Sequence, residues 1–213
     1  MRIQTVVQHH QSRAHLLPGL LTSLPPGATV IPDPGGEKPN PWRAYLACLR
    51  ALELDADSLC VIQDDAIVCR DFPAVLDLVA ARHPDVPLVL FVPGVGLHRR
   101  RILDACAEGK RFVQMSTANT FLPCVAILWP RECVEAILAY EAATPFSKPA
   151  DDGCLGRWCE VTRTKVLATV PSLVEHPDRE RSLVGKLAMG GRNPSRIAAC
   201  WTGSDWSPLE LEW

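Results

Sequence analysis

Ser58-Leu59-Cys60-Val61-Ile62-Gln63-Asp64-Asp65-Ala66-Ile67 decides how the rest of the chain is read. A short apolar run, partly β-branched, stops abruptly at two adjacent carboxylates. A run of that length and composition is a buried strand of a parallel sheet. The acids then stand at its carboxyl end, where open α/β sheets bind their ligands. Two neighbouring carboxylates repel unless a cation or a set of hydrogen-bond donors shares their charge. A divalent ion carrying a phosphorylated ligand is the partner this pattern predicts.

Strands and helices alternate on both sides of this stretch. Arg2 to Gln8 reads as a first strand, followed by the polar loop His9 to Arg13 and a short helix over 14–24 that Pro18-Gly19 makes irregular. Ala28 to Ile31 reads as a second strand. A Pro- and Gly-rich loop, 32–40, leads to a helix over 41–54. Its signals are Asn40 as N-cap, Pro41 in the first turn, and Trp42, Tyr45, Leu46, Leu49 and Leu52 at helical spacing. Asp71 is the expected cap of a helix ending near Arg82. Strands are expected over 87–92, 111–115, 120–129 and 165–170, and helices over 98–108, 130–142 and 151–160. The pattern is an α/β sandwich with a mainly parallel sheet.

Composition narrows the function. The chain has 213 residues, 47% hydrophobic and 22% charged, enough for one domain with a sizeable core. A net charge of −2 gives no overall basic character to attract nucleic acid, although local patches remain open. No apolar run is long enough to span a bilayer, and Met1 to His10 lacks a signal-peptide core, so a cytoplasmic location is expected. The nine cysteines form no C-x-x-C pair and mostly sit in apolar runs, as buried thiols of a reducing compartment do.

Other residues could carry chemistry. Asp151 and Asp152 head a helix, where they serve as caps or, functionally, as a general base. His176 is a candidate metal ligand. Arg99 and Arg100, with His98 and Arg101 beside them, and Arg181 in the basic tail could grip phosphates.

Three segments in order resemble a GT-A glycosyltransferase, near the small lipopolysaccharide-type and phage-encoded sugar transferases. They are Cys60-Val61-Ile62-Gln63-Asp64-Asp65-Ala66, Ala150-Asp151-Asp152-Gly153, and Val170-Pro171-Ser172-Leu173-Val174-Glu175-His176 with Arg181-Ser182-Leu183 behind it. The resemblance implies a Rossmann-like α/β/α sandwich over residues 1–185, with 186–213 as a tail packed on it. It implies a metal-dependent hexosyl transfer from a nucleoside diphosphate sugar, a UDP-sugar first among them. Asp65 and His176 would hold Mn²⁺ or Mg²⁺, and Asp152 or Asp151 would be the base. His9, Arg13, Asp33, Arg43, Gln63 and Asp64 would line the donor pocket. Gln63 stands where the family usually has an acid. Arg99, Arg100, Arg181 and Ser182 would touch acceptor or phosphate. Under this resemblance the acceptor would be a glycan or lipid-linked sugar, or a hydroxymethylated base in DNA, and the short chain would suit a phage or bacterial enzyme. A metal-dependent phosphohydrolase or nucleotidyltransferase, and a non-catalytic nucleotide-sugar binding domain, are the alternatives.

Overall fold

The computed structural model describes residues 1–35, 39–96, 98–115, 122–146, 150–177 and 197–213. Its strands are β1 (Ile3–His9), β2 (Thr29–Pro32), β3 (Ser58–Gln63), β4 (Ile67–Val68), β5 (Leu88–Val89), β6 (Phe112–Gln114), β7 (Ala126–Pro130), β8 (Leu167–Thr169) and β9 (Val174–Glu175). Its α-helices are α1 (Leu17–Leu21), α2 (Pro41–Arg50), α3 (Phe72–Arg82), α4 (Arg99–Ala107), α5 (Arg131–Ala143) and α6 (Asp151–Thr162).

Seven strands form one sheet in the order β2-β1-β3-β7-β5-β8-β6. β1 lies parallel between β2 and β3, and β5 lies parallel to β8. β7 runs antiparallel to both β3 and β5, and β6 antiparallel to β8. Five strands therefore share one direction and two oppose them, so the sheet is mainly parallel as expected. Both of its faces are covered. Leu59 and Val61 of β3 face a core shared with Trp42, Tyr45 and Leu49 of α2 and Leu155 and Trp158 of α6. Cys60 and Ile62 face the other way, onto Phe72, Val75 and Leu76 of α3. A strand apolar without a break from Leu59 to Ile62 is what a sheet sandwiched between helices requires, and the architecture is Rossmann-like α/β/α. Among the described residues no helix is long and apolar enough to cross a membrane.

Local chemistry explains the elements that fix the site. Asn40 Oδ1 accepts from Arg43 N at 3.0 Å, capping α2. Such a cap stabilises a helix by about 1 kcal/mol. Asp151 and Asp152 occupy the first turn of α6, at the positive end of its dipole. The helix stops at Arg163, whose φ of 57° is left-handed.

Several boundaries differ from expectation. The helix over 14–24 is a 3₁₀ stretch, Gln11–Leu16, followed by the short α1. Pro18 and Gly19 deny it a regular ladder. Helix α2 ends at Arg50, four residues before Leu54. The strand expected over 87–92 keeps only Leu88–Val89 in the ladder. Beyond it Leu90 O accepts from both Leu173 N and Val174 N, which diverts the chain. Asp71 precedes α3 but makes no side-chain cap; its φ of 58° places it in the left-handed region. The strand expected over 120–129 starts at Ala126, and Thr120 and Phe121 lie outside the described residues. The expected central strand ends at Gln63, where Ala66 N turns back to Gln63 O at 3.1 Å. Ile67 and Val68 leave the main sheet and pair with Glu175 and Val174 in a small second sheet.

Candidate active site at the carboxyl ends of β1 and β3

The register of two ladders assembles the site. β1 and β3 run parallel with Gln8 opposite Gln63, so the residues that follow, His9 and Asp64, emerge together. Asp64 N donates to Gln8 O at 3.1 Å, which fixes the exit. In the second sheet Ile67 lies opposite Glu175 in antiparallel sense. Stepping back along β4 toward Asp65 is stepping forward along β9 toward His176. The two meet with His176 Nε2 3.2 Å from Asp65 Oδ2. Val174–Glu175, remote in sequence, is thus the strap that carries the histidine to the acids.

Asp64 and Asp65 are buried, their side chains 4% and 0% exposed. Asp64 Oδ2 accepts from His10 N at 2.8 Å and lies 3.0 Å from His9 Nδ1. Asp64 Oδ1 accepts from Arg13 Nη1 at 3.1 Å. The same Nη1 is 2.8 Å from Asp65 Oδ2. A turn from His10 O to Arg13 N, 2.9 Å, folds Arg13 back over the strand ends. One guanidinium therefore bridges the diacid, a task the sequence assigned to a divalent ion.

A second acidic group lies behind Gln63. Asp151 Oδ2 accepts from Gln8 Nε2 at 3.4 Å and Gln63 Nε2 at 3.5 Å, and Asp151 Oδ1 accepts from Asp152 N at 3.0 Å. Gln63 Nε2 is also 3.8 Å from Cys124 Sγ. Burial, then the neighbouring charge of Asp152, pushes the Asp151 carboxyl up to about 6. Burial also raises Asp152, which is only part-buried and accepts from Gly153 N at 2.6 Å. Asp151 thus faces inward and anchors the head of α6, while Asp152 is the more open of the pair. The Cys124 thiol is driven well above its ordinary value by burial and by Asp151.

Asp33 and Arg43 form a unit beside the first loop. Asp33 N donates to His9 O at 2.7 Å. Its carboxylate takes Arg43 Nε and Nη2 at 3.0 and 2.9 Å, with Gly35 N and Asn40 N at 2.9 Å each. Burial opposes ionisation of Asp33, but these donors outweigh it and hold the carboxyl below its usual value. Arg99 and Arg100 stand exposed at the start of α4, with Arg100 Nε 3.8 Å from Asp104, and neither belongs to the network around the diacid. Arg181 and Ser182 lie outside the described residues.

Sequence reasoning missed Gln8, Cys124 and Phe91, whose ring centroid is 6.0 Å from that of His176. Gln8 had a readable signal: a polar residue closing the apolar run of β1, as Gln63 closes β3.

As the side chains stand, the donor set does not fit the expected divalent ion. Asp65 and His176 are adjacent, but Nε2 faces a carboxylate oxygen, which only accepts, so that nitrogen presents its N–H there. Arg13 Nη1 touches the same oxygen. A dication about 4 Å from a guanidinium is repelled by roughly 8 kcal/mol at an effective dielectric of 20. Among the described residues no group of three or more His, Cys, Asp or Glu is gathered closely enough to hold a metal.

No protein-family model matches this chain, and no curated protein matches it. Among solved structures, UDP-glucose pyrophosphorylase complexed with UDP-glucose is similar over 79% of this chain and 72% of that protein, at 11% identity and a TM-score of 0.40.

Proposed function

We propose that the chain is a glycosyltransferase that moves a sugar from a nucleoside diphosphate sugar, a UDP-sugar in the first instance, to an acceptor hydroxyl. One observation supports this reading above the others. Three segments far apart in sequence converge at the carboxyl end of a mainly parallel sheet: Gln63–Asp65, Asp151–Asp152 and His176. That end is where α/β sheets receive nucleotides.

The chain's own groups suggest how the work is divided. Arg13, His9 and His176 bring cationic or N–H character to the strand ends, which suits a diphosphate. Asp33, held as a carboxylate by Arg43 and two backbone N–H groups, shapes the loop after β2, beside His9, where a nucleoside would lie. Asp152 is the base. Burial raises its affinity for a proton, so it takes the acceptor's hydroxyl proton more readily than an ordinary aspartate would. The acceptor oxygen then bonds to the anomeric carbon, the bond from that carbon to the diphosphate oxygen breaks, and the diphosphate leaves with the electron pair. Attack opposite the leaving group inverts the anomeric configuration. Asp151, fixed by Gln8 and Gln63, holds α6 so that Asp152 keeps its place.

The acceptor is a sugar hydroxyl of a glycan or a hydroxymethylated base of DNA. The exposed Arg99–Arg101 face of α4 is the feature that suits the second. The test is thermal stabilisation by nucleoside diphosphates and their sugars, because a ligand bound only by the folded state raises the melting point. A shift with one nucleotide class, followed by transfer of its sugar to an oligosaccharide or to hydroxymethylated DNA, is the expected result. No shift with any nucleotide at millimolar concentration would sink the donor assignment. Turnover of the nucleotide without any acceptor would replace transfer by phosphohydrolysis.

A further inference from the structure

Asp64 and Asp65 are consecutive, buried and both carboxylates, and the group between them is Arg13. Its Nη1 lies 3.1 Å from Asp64 Oδ1 and 2.8 Å from Asp65 Oδ2. Arg13 is itself nearly enclosed, its side chain 11% exposed. Its backbone is held by the turn to His10 O, and His10 N is held in turn by Asp64 Oδ2. The guanidinium is delivered to the diacid by a loop that the diacid itself ties down.

We propose that Arg13 is the resident cation of this site, and that it excludes divalent metal from the nucleotide-free protein by occupying the Asp65 oxygen a metal would need. The physical ground is competition for one atom. Asp65 Oδ2 already pairs with Arg13 Nη1 at 2.8 Å and faces His176 Nε2 at 3.2 Å. A divalent ion bound there must break the Arg13 contact and then bear the repulsion of a charge tethered beside it. Arginine suits such a post, because its guanidinium does not lose its proton and it forks readily between carboxylates. The inference deepens the reading of this site as a nucleotide-sugar pocket. It says that the pocket is balanced in the resting state by protein rather than by metal.

The experiment is Mn²⁺ binding to the full chain without nucleotide, read from the loss of the free-ion electron paramagnetic resonance signal. Wild type, Arg13→Gln and Arg13→Lys are compared. Wild type is expected to bind Mn²⁺ only weakly. Arg13→Gln, freed of the competing charge, binds at least about ten-fold more tightly, the equivalent of 1.4 kcal/mol. Arg13→Lys keeps the charge and stays close to wild type, and a ten-fold gain in Mn²⁺ affinity in Arg13→Lys would equally overturn the inference. Tight Mn²⁺ binding by wild type, or an affinity unchanged in Arg13→Gln, overturns the inference. Because no nucleotide is used, such a failure leaves the donor assignment standing, and a failed nucleotide panel leaves this inference standing.

Discussion

Replacing Asp64 by asparagine changes one atom and should cost the fold far more than a surface substitution. Three donors converge on this carboxylate: His10 N and His9 Nδ1 on Oδ2, and Arg13 Nη1 on Oδ1. An amide has one accepting oxygen. Its best orientation keeps that oxygen toward His9 and His10 and turns the NH₂ against Arg13, so two donors face each other. The charge-assisted bond to Arg13 is lost, which amounts to about 1.5–3 kcal/mol. Arg13 retains Asp65, so the full penalty of an orphaned buried charge, about 3–5 kcal/mol, is not reached. A loss of about 2–3 kcal/mol is expected, or roughly 4–12 °C in melting temperature for a chain of this size. Urea unfolding followed by circular dichroism measures it. Asp55→Asn is the control: it is also paired with an arginine, Arg2, but its side chain is 75% exposed, and its midpoint should not move. If Asp64→Asn unfolds within about 0.5 kcal/mol of wild type, below the net worth of a typical hydrogen bond, the first loop is not tied to the diacid as described.

Further outcomes concern the second acid, the chemistry and the thiols. Asp151 has its carboxyl raised from 3.8 to about 6. Its contribution to stability is therefore complete below about pH 4 and disappears as pH rises through 6. Asp151→Asn, which carries no titrating group, should flatten that dependence, with its stability relative to wild type rising between pH 4 and pH 8; an unchanged slope over that range would contradict the burial. Asp152→Asn should slow sugar transfer by about 10²–10⁴-fold and leave nucleotide-induced stabilisation intact, and equal turnover in the variant would remove Asp152 as the base. Tyr45→Phe strands Trp129 Nε1, which donates to the Tyr45 hydroxyl at 2.8 Å in the core, at about 1–3 kcal/mol. In a double-mutant cycle with Trp129→Phe the two effects should not add. Cys106 is exposed while six other cysteines are buried, so a thiol reagent should label one site fast in the native protein. Cys106→Ser should abolish that phase.

Elements whose signals are local could be read directly. The apolar run ending in Asp64 and Asp65, the Asn40–Pro41 start of α2 and the acidic first turn of α6 each carry their cause within a few residues. The features that needed the structure are long-range. Nothing near Arg13 announces that it reaches acids some fifty positions away, because the contact follows from the β1–β3 register and from the turn at His10–Arg13 that folds the guanidinium back over the strand ends. Likewise Ile67 continues the apolar character of β3, so only the turn at Ala66 reveals that it pairs elsewhere, with Glu175. Asp71 looked like a cap by residue type, and its left-handed backbone made it a bend. Gln8 and Gln63 are polar residues at strand ends, and only their shared register opposite α6 makes them a pair of hands on Asp151.

The antiparallel strand at the middle of the sheet has a consequence for synthesis. β3, which carries the diacid, gains β1 early, but its other edge is completed only by β7, whose pairing runs from Ser58–Pro130 to Ile62–Ala126. A chain emerging from the ribosome N-terminus first therefore presents β3 as a bare edge through the whole interval in which α3, β5, α4 and β6 are made. Unpaired edges of apolar strands recruit other chains. His176 arrives later still, after α6 and β8. The diacid and Arg13 can thus close on each other long before the last members of the site exist, giving the nascent chain an ion-paired lock at the end of this bare-edged strand while the sheet waits for its partner.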